Sequence, residues 1–309
     1  MKTPPKDRVA SVLAKLGNEA RRQGVPVNEV LQFYAIERFL ARLARSPHAD
    51  GVLLKGALLL KTVGLSRARP TMDIDLLRLG NADRSTLISI VQEAALIEDE
   101  SDAIVFDPGS VVAEDITRDA AYLGTRIRFS GSMRNVRLHL QIDFGVGDAV
   151  VPGPRIIEYP AMLGQPSVKL RAVPIESSIA EKFHAMVELD LANSRMKDFH
   201  DIWTLSRHLS FDGSTLSRAI AATFERRATA LPTETPTCLS AIYFEAPEHL
   251  RQWRAFVRRV SQAALAEDFP RVAGEIAVFV MPAASAAVRR VVFASRWEPG
   301  GPWKQASET

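Results

Sequence analysis

The chain has 309 residues, and 39 Lys and Arg against 36 Asp and Glu give it a formal net charge of +3. A hydrophobic content of 47% with 24% charged residues is typical of a globular protein with a buried core. The single cysteine, Cys238, excludes disulfide frameworks and cysteine-based zinc sites, and the mild basic excess permits nucleic acid binding without requiring it.

Two helices are predicted at the N-terminus. Apolar residues recur every three or four positions from about residue 7 to residue 45, with a break at Gly24–Pro26. The stretch that follows Met1 lacks the apolar run of a secretory signal, so we expect a cytoplasmic protein.

Between residues 51 and 147 short apolar runs replace the helical period, with one helix expected at about 83–95. This pattern predicts an α+β core, and we place residues 1–150 in this N-terminal domain. One segment, 137–144, alternates strictly between apolar and polar residues, which predicts a strand with Asp143 on its polar face.

Prolines and glycines make residues 151–175 a predicted connector. Residues 176–292 are predicted to form a helical C-terminal domain, with helices at about 176–191, 197–208, 213–226, 247–263 and 267–280. We expect a flexible tail at 293–309. The weakly polar run 276–288 is too short to span a bilayer, so it is interpreted as buried helix plus turn, and no membrane partner is expected.

The first candidate for chemistry is Lys55-Gly56-Ala57, which lies where a predicted strand gives way to an apolar helix start. Backbone N–H groups at a helix N-terminus can hold a phosphate. A glycine in such a place can equally be a simple turn.

Asp73 and Asp75 share one face of a predicted strand, because side chains at i and i+2 point the same way. Two neighbouring carboxylates repel unless a cation lies between them, and Mg²⁺ with substrate phosphates fits that need. Asp143 could provide a third carboxylate for a two-metal site. A solvated acidic pair and a surface strand residue are the alternatives.

Basic residues recur in the C-terminal half. Lys182 borders an apolar helical stripe and could extend to solvent or bind a phosphate. Lys197, Asp198 and Asp201 follow on the next predicted helix, where Lys197 and Asp201 could simply pair. Arginines of a later helix form a basic face that could hold RNA or be plain solvated surface: Arg251, Arg254, Arg258 and Arg259, with Arg226 and Arg227 nearby in sequence.

Taken in order, five segments resemble the AbiEii/AbiGii toxin family of nucleotidyltransferases, over nearly the whole chain. They are Leu54–Ala57, Arg69–Leu76, Gln141–Phe144, Ala180–Phe183 and Arg195–Trp203. The resemblance implies a polymerase-β-like nucleotidyltransferase core and a bacterial type IV toxin–antitoxin or abortive-infection role. It also implies an NTP substrate, an acceptor such as the 3′ end of tRNA, and a winged-helix antitoxin encoded nearby that forms no stable complex.

The resemblance also assigns roles to the matching residues. Asp73 and Asp75 match the catalytic, metal-binding pair, and Asp143 matches the third carboxylate. Lys182 and Lys197 match catalytic basic residues near the nucleotide, beside Asp198 and Asp201. Gly56, flanked by Lys55 and Ala57, matches the start of the family's nucleotide-binding loop.

One departure stands in that loop. Many members follow the glycine with Gly or Ser and then Thr, whereas Ala57 and Leu58 provide no hydroxyl to a phosphate. Two alternatives therefore remain beside an RNA-modifying enzyme: an inactive RNA- or protein-binding module, and a transferase that acts on a small molecule such as an aminoglycoside.

Overall fold

A computed structural model describes residues 6–64, 71–99, 102–118, 122–260 and 268–305. The chain divides into two compact units: residues 1–147 with 154–173, and residues 148–153 with 174–309. Most of the segment expected to be a connector, 151–175, therefore belongs to the first unit. Arg69 and Pro70 of the second motif lie outside the described residues.

The first unit contains three α-helices, two 3-10 helices at Ala49–Gly51 and Gly56–Val63, and seven strands among its described residues. The helices are α1 (Lys6–Gln23), α2 (Val27–Leu43) and α3 (Arg84–Leu96). The strands are β1 (Val52–Lys55), β2 (Asp73–Arg78), β3 (Val105–Arg118), β4 (Tyr122–Met133), β5 (Val136–Val146), β6 (Arg155–Tyr159) and β7 (Val168–Ala172).

The seven strands form one mixed sheet in the order β3-β4-β5-β2-β1-β7-β6. β2 pairs parallel with β5 and antiparallel with β1, and β1 in turn pairs parallel with β7. The expected mixture of sheet and helices is confirmed at this level. Three strands were not predicted as such. β3 lies in the stretch 98–119, whose eight carboxylates predict a mostly solvated face, and β6 and β7 lie in the connector, where only some extended pieces were expected.

The core of this unit forms where α2 packs against β5 and β7. Phe39 of α2 meets Phe106 edge-on at 5.7 Å between ring centroids and Phe129 at 4.8 Å. Arg42 and Asp102 form a buried ion pair beside this cluster. Aromatic pairs of this kind add about 0.5–1.5 kcal/mol each beyond the burial of their area, which anchors α2 on the sheet.

The second unit is mostly helical. Its helices are α4 (Ile175–Leu189), α5 (Met196–His208), α6 (Gly213–Arg226), α7 (Ala241–Phe244), α8 (Pro247–Arg259) and α9 (Phe269–Arg289). Three short strands, β8 (Phe211–Asp212), β9 (Ser295–Trp297) and β10 (Trp303–Gln305), form a small antiparallel sheet.

Two expectations for this unit were wrong. The segment 293–309 is not a flexible tail as far as it is described, because Trp297 is buried and the Trp303 ring stacks on Phe279 with centroids 5.8 Å apart. The run 276–288 is not helix plus turn, because α9 continues through Pro282. Proline costs the helix one hydrogen bond, and burial of Ala283, Ala284 and Ala286 beyond it maintains the packing.

Helix α9 is also the one described helix whose length and apolar composition would allow it to cross a membrane. Phe269 and Phe279 of this helix are fully buried and Val278 is exposed, and the helix packs against α5 and α6.

Candidate active site

Four charged residues occupy one row across four neighbouring strands of the first unit. Lys55 of β1 is the register partner of Asp75 of β2, Asp75 is the partner of Asp143 of β5, and Asp143 is the partner of Arg126 of β4. Direct partners in a sheet point to the same face. Along the row, two carboxylates therefore lie between two cationic side chains.

The Asp143 carboxylate is almost fully buried, with a side-chain exposure of 3%. Arg126 donates to both of its oxygens, from Nε to Oδ1 at 2.8 Å and from Nη2 to Oδ2 at 2.9 Å. This hydrogen bonding with Asp143 raises the pKa of Arg126. The expectation that Asp143 lies on the polar face is met, but the structure covers that residue instead of exposing it to solvent.

A second row lies beside the first. Asp73 is the register partner of Gln141, whose Nε2 donates to Asp73 Oδ1 at 3.0 Å. Gln141 is in turn opposite Arg128. Arg128 forms an exposed ion pair with Glu114 of β3 at 2.9 Å. Asp73 is thus positioned by an amide, whereas Asp143 is held by a full positive charge.

Gly56 lies directly against the carboxylate of Asp75. Its φ of +71° is in the left-handed region, and a Cβ placed on it would lie 2.0 Å from Asp75 Oδ2. Glycine is therefore required twice, once for the backbone conformation and once for the close approach. The turn after β1 therefore packs directly on the carboxylate of Asp75.

Gly56→Ala is expected to destabilise the protein more than Gly64→Ala. Gly64 has nearly the same φ, +73°, but no atom within 4 Å of an added Cβ. Both changes cost about 1–2 kcal/mol for the left-handed conformation, and only Gly56→Ala adds an overpacking cost of about 1–3 kcal/mol. Urea unfolding of both variants measures the difference, and equal losses would show that Asp75 does not pack on this glycine.

A cleft of about 770 Å³ opens at the Asp73 end of the face. Arg128, Arg137 and His139 line it together with Asp73 and Gln141. Gln32 and Asn28 at the start of α2 add amide groups, and Gln32 Nε2 donates to the carbonyl oxygen of His139 at 2.7 Å. The cleft thus combines an apolar floor, including Phe129 and Leu140, with two arginines and several amide groups beside the first aspartate.

The C-terminal motif residues form a separate group in the second unit. Lys182 of α4 lies between two fully buried carboxylates of α5, at 2.9 Å from Asp198 Oδ1 and 2.8 Å from Asp201 Oδ2. Arg195 bonds the second oxygen of Asp198 at 2.6 Å. Burial by itself would raise the pKa of Asp198, but Lys182 and Arg195 hold it below its usual range.

This geometry changes the interpretation of these residues. Asp201 does not pair with Lys197 on the helix surface, because Asp201 is fully buried and pairs with Lys182. Asp198 and Asp201 face the Lys182 ammonium and are closed to solvent, whereas Lys197 is exposed. The Lys182 charge is therefore committed to joining α4 to α5.

The carboxylates of the first unit have the right chemistry for Mg²⁺. Asp73 and Asp75 are half-buried on one face, and Mg²⁺ is commonly held by one or two carboxylates plus substrate phosphates. Among the described residues, no group of three or more His, Cys, Asp or Glu side chains is already arranged to hold a metal ion. Both oxygens of Asp143 accept from Arg126, so the aspartate pair is the part of the set that fits.

Sequence reasoning assigned no role in the site to Arg126, Gln141 or the cleft residue Arg137. The alternation Thr125-Arg126-Ile127-Arg128-Phe129 was available as a signal that two arginines share one face of a strand. It does not tell which carboxylate each arginine meets, because that depends on the register between β4 and β5.

Comparison with known proteins gives a family match and several similar solved structures. The family described as nucleotidyl transferase AbiEii toxin, type IV TA system, matches residues 38–289. The structure of JHP933 from Helicobacter pylori is 15% identical, covering 82% of this chain and 90% of that chain, with a TM-score of 0.42. A candidate nucleotidyltransferase from the same organism is 16% identical, covering 82% and 93%, with a TM-score of 0.43. No curated protein matches the chain.

Proposed function

The chain belongs to the AbiEii family of nucleotidyl transferase toxins of type IV toxin–antitoxin systems, and we propose that it transfers a nucleotide from an NTP to a hydroxyl group of an RNA, with Mg²⁺ as cofactor. The observation that carries the proposal is the pairing of Asp75 with Asp143 across β2 and β5, directly against the Gly56 turn. Phosphoryl transfer depends mainly on positioning and on charge stabilisation, and this row provides both.

In this proposal Asp73 and Asp75 hold Mg²⁺. The ion, when bound, would neutralise phosphate charge and orient the reacting groups. Asp143 completes the metal site from the neighbouring strand and assists deprotonation of the acceptor hydroxyl. Gln141 fixes the carboxylate of Asp73 by its 3.0 Å hydrogen bond, which keeps one oxygen turned toward β5.

The donor phosphates are assigned to the turn after β1. Backbone N–H groups of Gly56 and Ala57 would bind them, since Ala57 carries no hydroxyl. Lys55 points to the same face as Asp75 and provides a nearby positive charge. Of the two lysines expected near the nucleotide, Lys197 is exposed and stays a proposed contact, whereas we assign Lys182 to positioning within the second unit.

The acceptor is assigned to the cleft beside Asp73. In an in-line displacement the attacking and leaving oxygens lie on opposite sides of the phosphorus. The Gly56 turn lies on the β1 side of β2, and the cleft lies on the β5 side. Its arginines Arg128 and Arg137 favour an anionic acceptor such as the 3′ end of a tRNA over a polycationic aminoglycoside.

Reversal of one cleft charge, Arg137→Glu, should weaken RNA binding about tenfold at low salt and leave NTP affinity unchanged, because phosphate contacts are electrostatic. Fluorescence anisotropy with a labelled single-stranded RNA measures the first quantity and a fluorescent NTP analogue the second. Arg134→Glu, an exposed residue of the β4–β5 turn, is the matched control. If the control weakens RNA binding as much as Arg137→Glu, the cleft is not the acceptor site.

The activity itself is tested with each labelled NTP in the presence of Mg²⁺ and total tRNA, a protein extract or aminoglycosides. Label that appears in tRNA with the wild-type protein but not with an Asp75 variant supports the proposal. Label in an aminoglycoside would show that the acceptor is a small molecule instead of RNA. Absence of label under every condition would favour the binding-module alternative.

Family membership supports an antitoxin as partner. We propose a winged-helix antitoxin that is encoded nearby and acts without a stable complex. We also propose a cytoplasmic location, where NTPs and RNA are both present.

A further inference from the structure

We propose that Arg126 is a positioning residue that holds Asp143 until a divalent ion takes this carboxylate, so that Arg126 and the ion compete for one ligand. The inference rests on the proposed function, because it concerns the third carboxylate of the same site. It predicts that Arg126 lowers the affinity of the site for a divalent metal ion.

The first argument is burial. A carboxylate with 3% exposure needs a charged or strongly hydrogen-bonded partner, since an unpaired buried charge is costly. The bidentate pair with Arg126, at 2.8 and 2.9 Å, provides one. Asp143 therefore stays preformed and correctly oriented before any ion arrives.

The second argument is that the two cations need the same oxygens. Arg126 occupies Oδ1 and Oδ2 together, and Mg²⁺ binds carboxylate oxygens directly at about 2.0–2.1 Å. Two cations so close also repel each other. Each oxygen keeps a second lone pair, so the competition comes from this repulsion, which weakens the Arg126 hydrogen bonds when Asp143 coordinates an ion.

The third argument is that a second carboxylate lies within reach of Arg126. Its register partner on the other side is Glu114 of β3, and its side chain is 26% exposed, so movement toward that carboxylate is open. Glu114 already receives Arg128 and faces solvent. The arginine can therefore exchange between a buried carboxylate and an exposed one.

The test measures binding of Mn²⁺ alone to the full chain, from the loss of the free-ion EPR signal. Arg126→Gln should bind Mn²⁺ about fivefold or more tightly than wild type, because one competing positive charge is removed. Arg134→Gln, at an exposed residue of the β4–β5 turn, is the control and should keep the wild-type Mn²⁺ affinity. The gain should disappear in the double variant Arg126→Gln/Asp143→Asn.

Arg126→Lys is a second variant in case Arg126→Gln fails to fold, because lysine keeps the positive charge but makes only a single-point contact. Its Mn²⁺ affinity should lie between those of the wild type and Arg126→Gln. Unchanged or weaker Mn²⁺ binding by folded Arg126→Gln or Arg126→Lys would overturn the proposal. So would a gain that survives Asp143→Asn. Because this readout needs no catalysis, a protein without transfer activity would contradict the proposed function and leave the competition measurable.

Discussion

Asp75→Asn is expected to lower nucleotidyl transfer by about 10²- to 10³-fold, the largest effect on activity that we predict. Asp75 stands between Lys55 and Asp143 in the row and packs on Gly56, so in the proposed mechanism its carboxylate acts on both the metal ion and the turn that binds phosphate. Removing one preorganised electrostatic group at a reacting phosphate typically costs this much. The amide keeps the shape of the side chain, so the fold should persist.

The measurement is the initial rate of label transfer at saturating NTP and Mg²⁺, with unfolding midpoints to show that the variant is folded. Asp115→Asn is the control, because Asp115 is an exposed β3 residue paired with exposed Arg84. Expression of the wild-type chain should slow growth, and expression of Asp75→Asn should not. A variant that keeps more than a tenth of the wild-type rate would remove Asp75 from the proposed mechanism.

Lys182→Met should produce the largest loss of stability, about 3–5 kcal/mol in the free energy of unfolding. The change removes the ammonium that lies within 3 Å of Asp198 and Asp201 and leaves two buried carboxylates without it. Lys197→Met is the matched control: this exposed lysine belongs to the same motif, and its loss should change stability by about 0.5 kcal/mol or less.

Urea unfolding of both variants gives the comparison. Adding Asp201→Asn to Lys182→Met should recover part of the loss, since it removes one of the unpaired charges. If Lys182→Met is as stable as wild type but binds NTP weakly, Lys182 is a nucleotide contact instead of a positioning residue.

The same group predicts an acid dependence of stability. The pKa of Asp198 is lower in the folded chain than its unfolded value of about 3.9, because Lys182 and Arg195 outweigh its burial. Its contribution is therefore complete above about pH 4 and is lost as the pH falls through the lower folded value. Unfolding free energies measured from pH 3 to pH 7 should decline less steeply at the acid end in Asp198→Asn.

Local patterns in the sequence predicted much of the fold. The strict alternation of 137–144 predicted β5, and Asp83, which caps α3 through a bond from the Thr86 N–H, marked the start of that helix. In contrast, β3 lies in the acidic stretch 98–119, which indicated solvated surface, although β3 itself has only three acidic residues, Asp107, Glu114 and Asp115. Its pairing with β4 overrides that preference, as tertiary context often does for strands.

The candidate site was predictable in its residue types but not in its arrangement. Asp73 and Asp75 share a face by strand geometry alone, whereas the pairing of Asp75 with Asp143 depends on contacts 68 residues apart in sequence. The partner of Lys182 was likewise hidden, because helical periodicity placed Asp201 near Lys197 and could not show that α4 and α5 meet there. Register and helix packing are long-range properties that no local pattern contains.

The mixed sheet also determines when the enzyme can first exist during synthesis. The row from β1 to β4 draws on residues from Lys55 to Asp143, and β1 needs β7 as its other neighbour. Such distant pairings form slowly and only after the later strands have been synthesised. A fragment released before β5 is synthesised therefore lacks Asp143 and the strand that pairs with β2. The row of charged residues is complete only once the sheet has formed, so nascent chains should have no transfer activity.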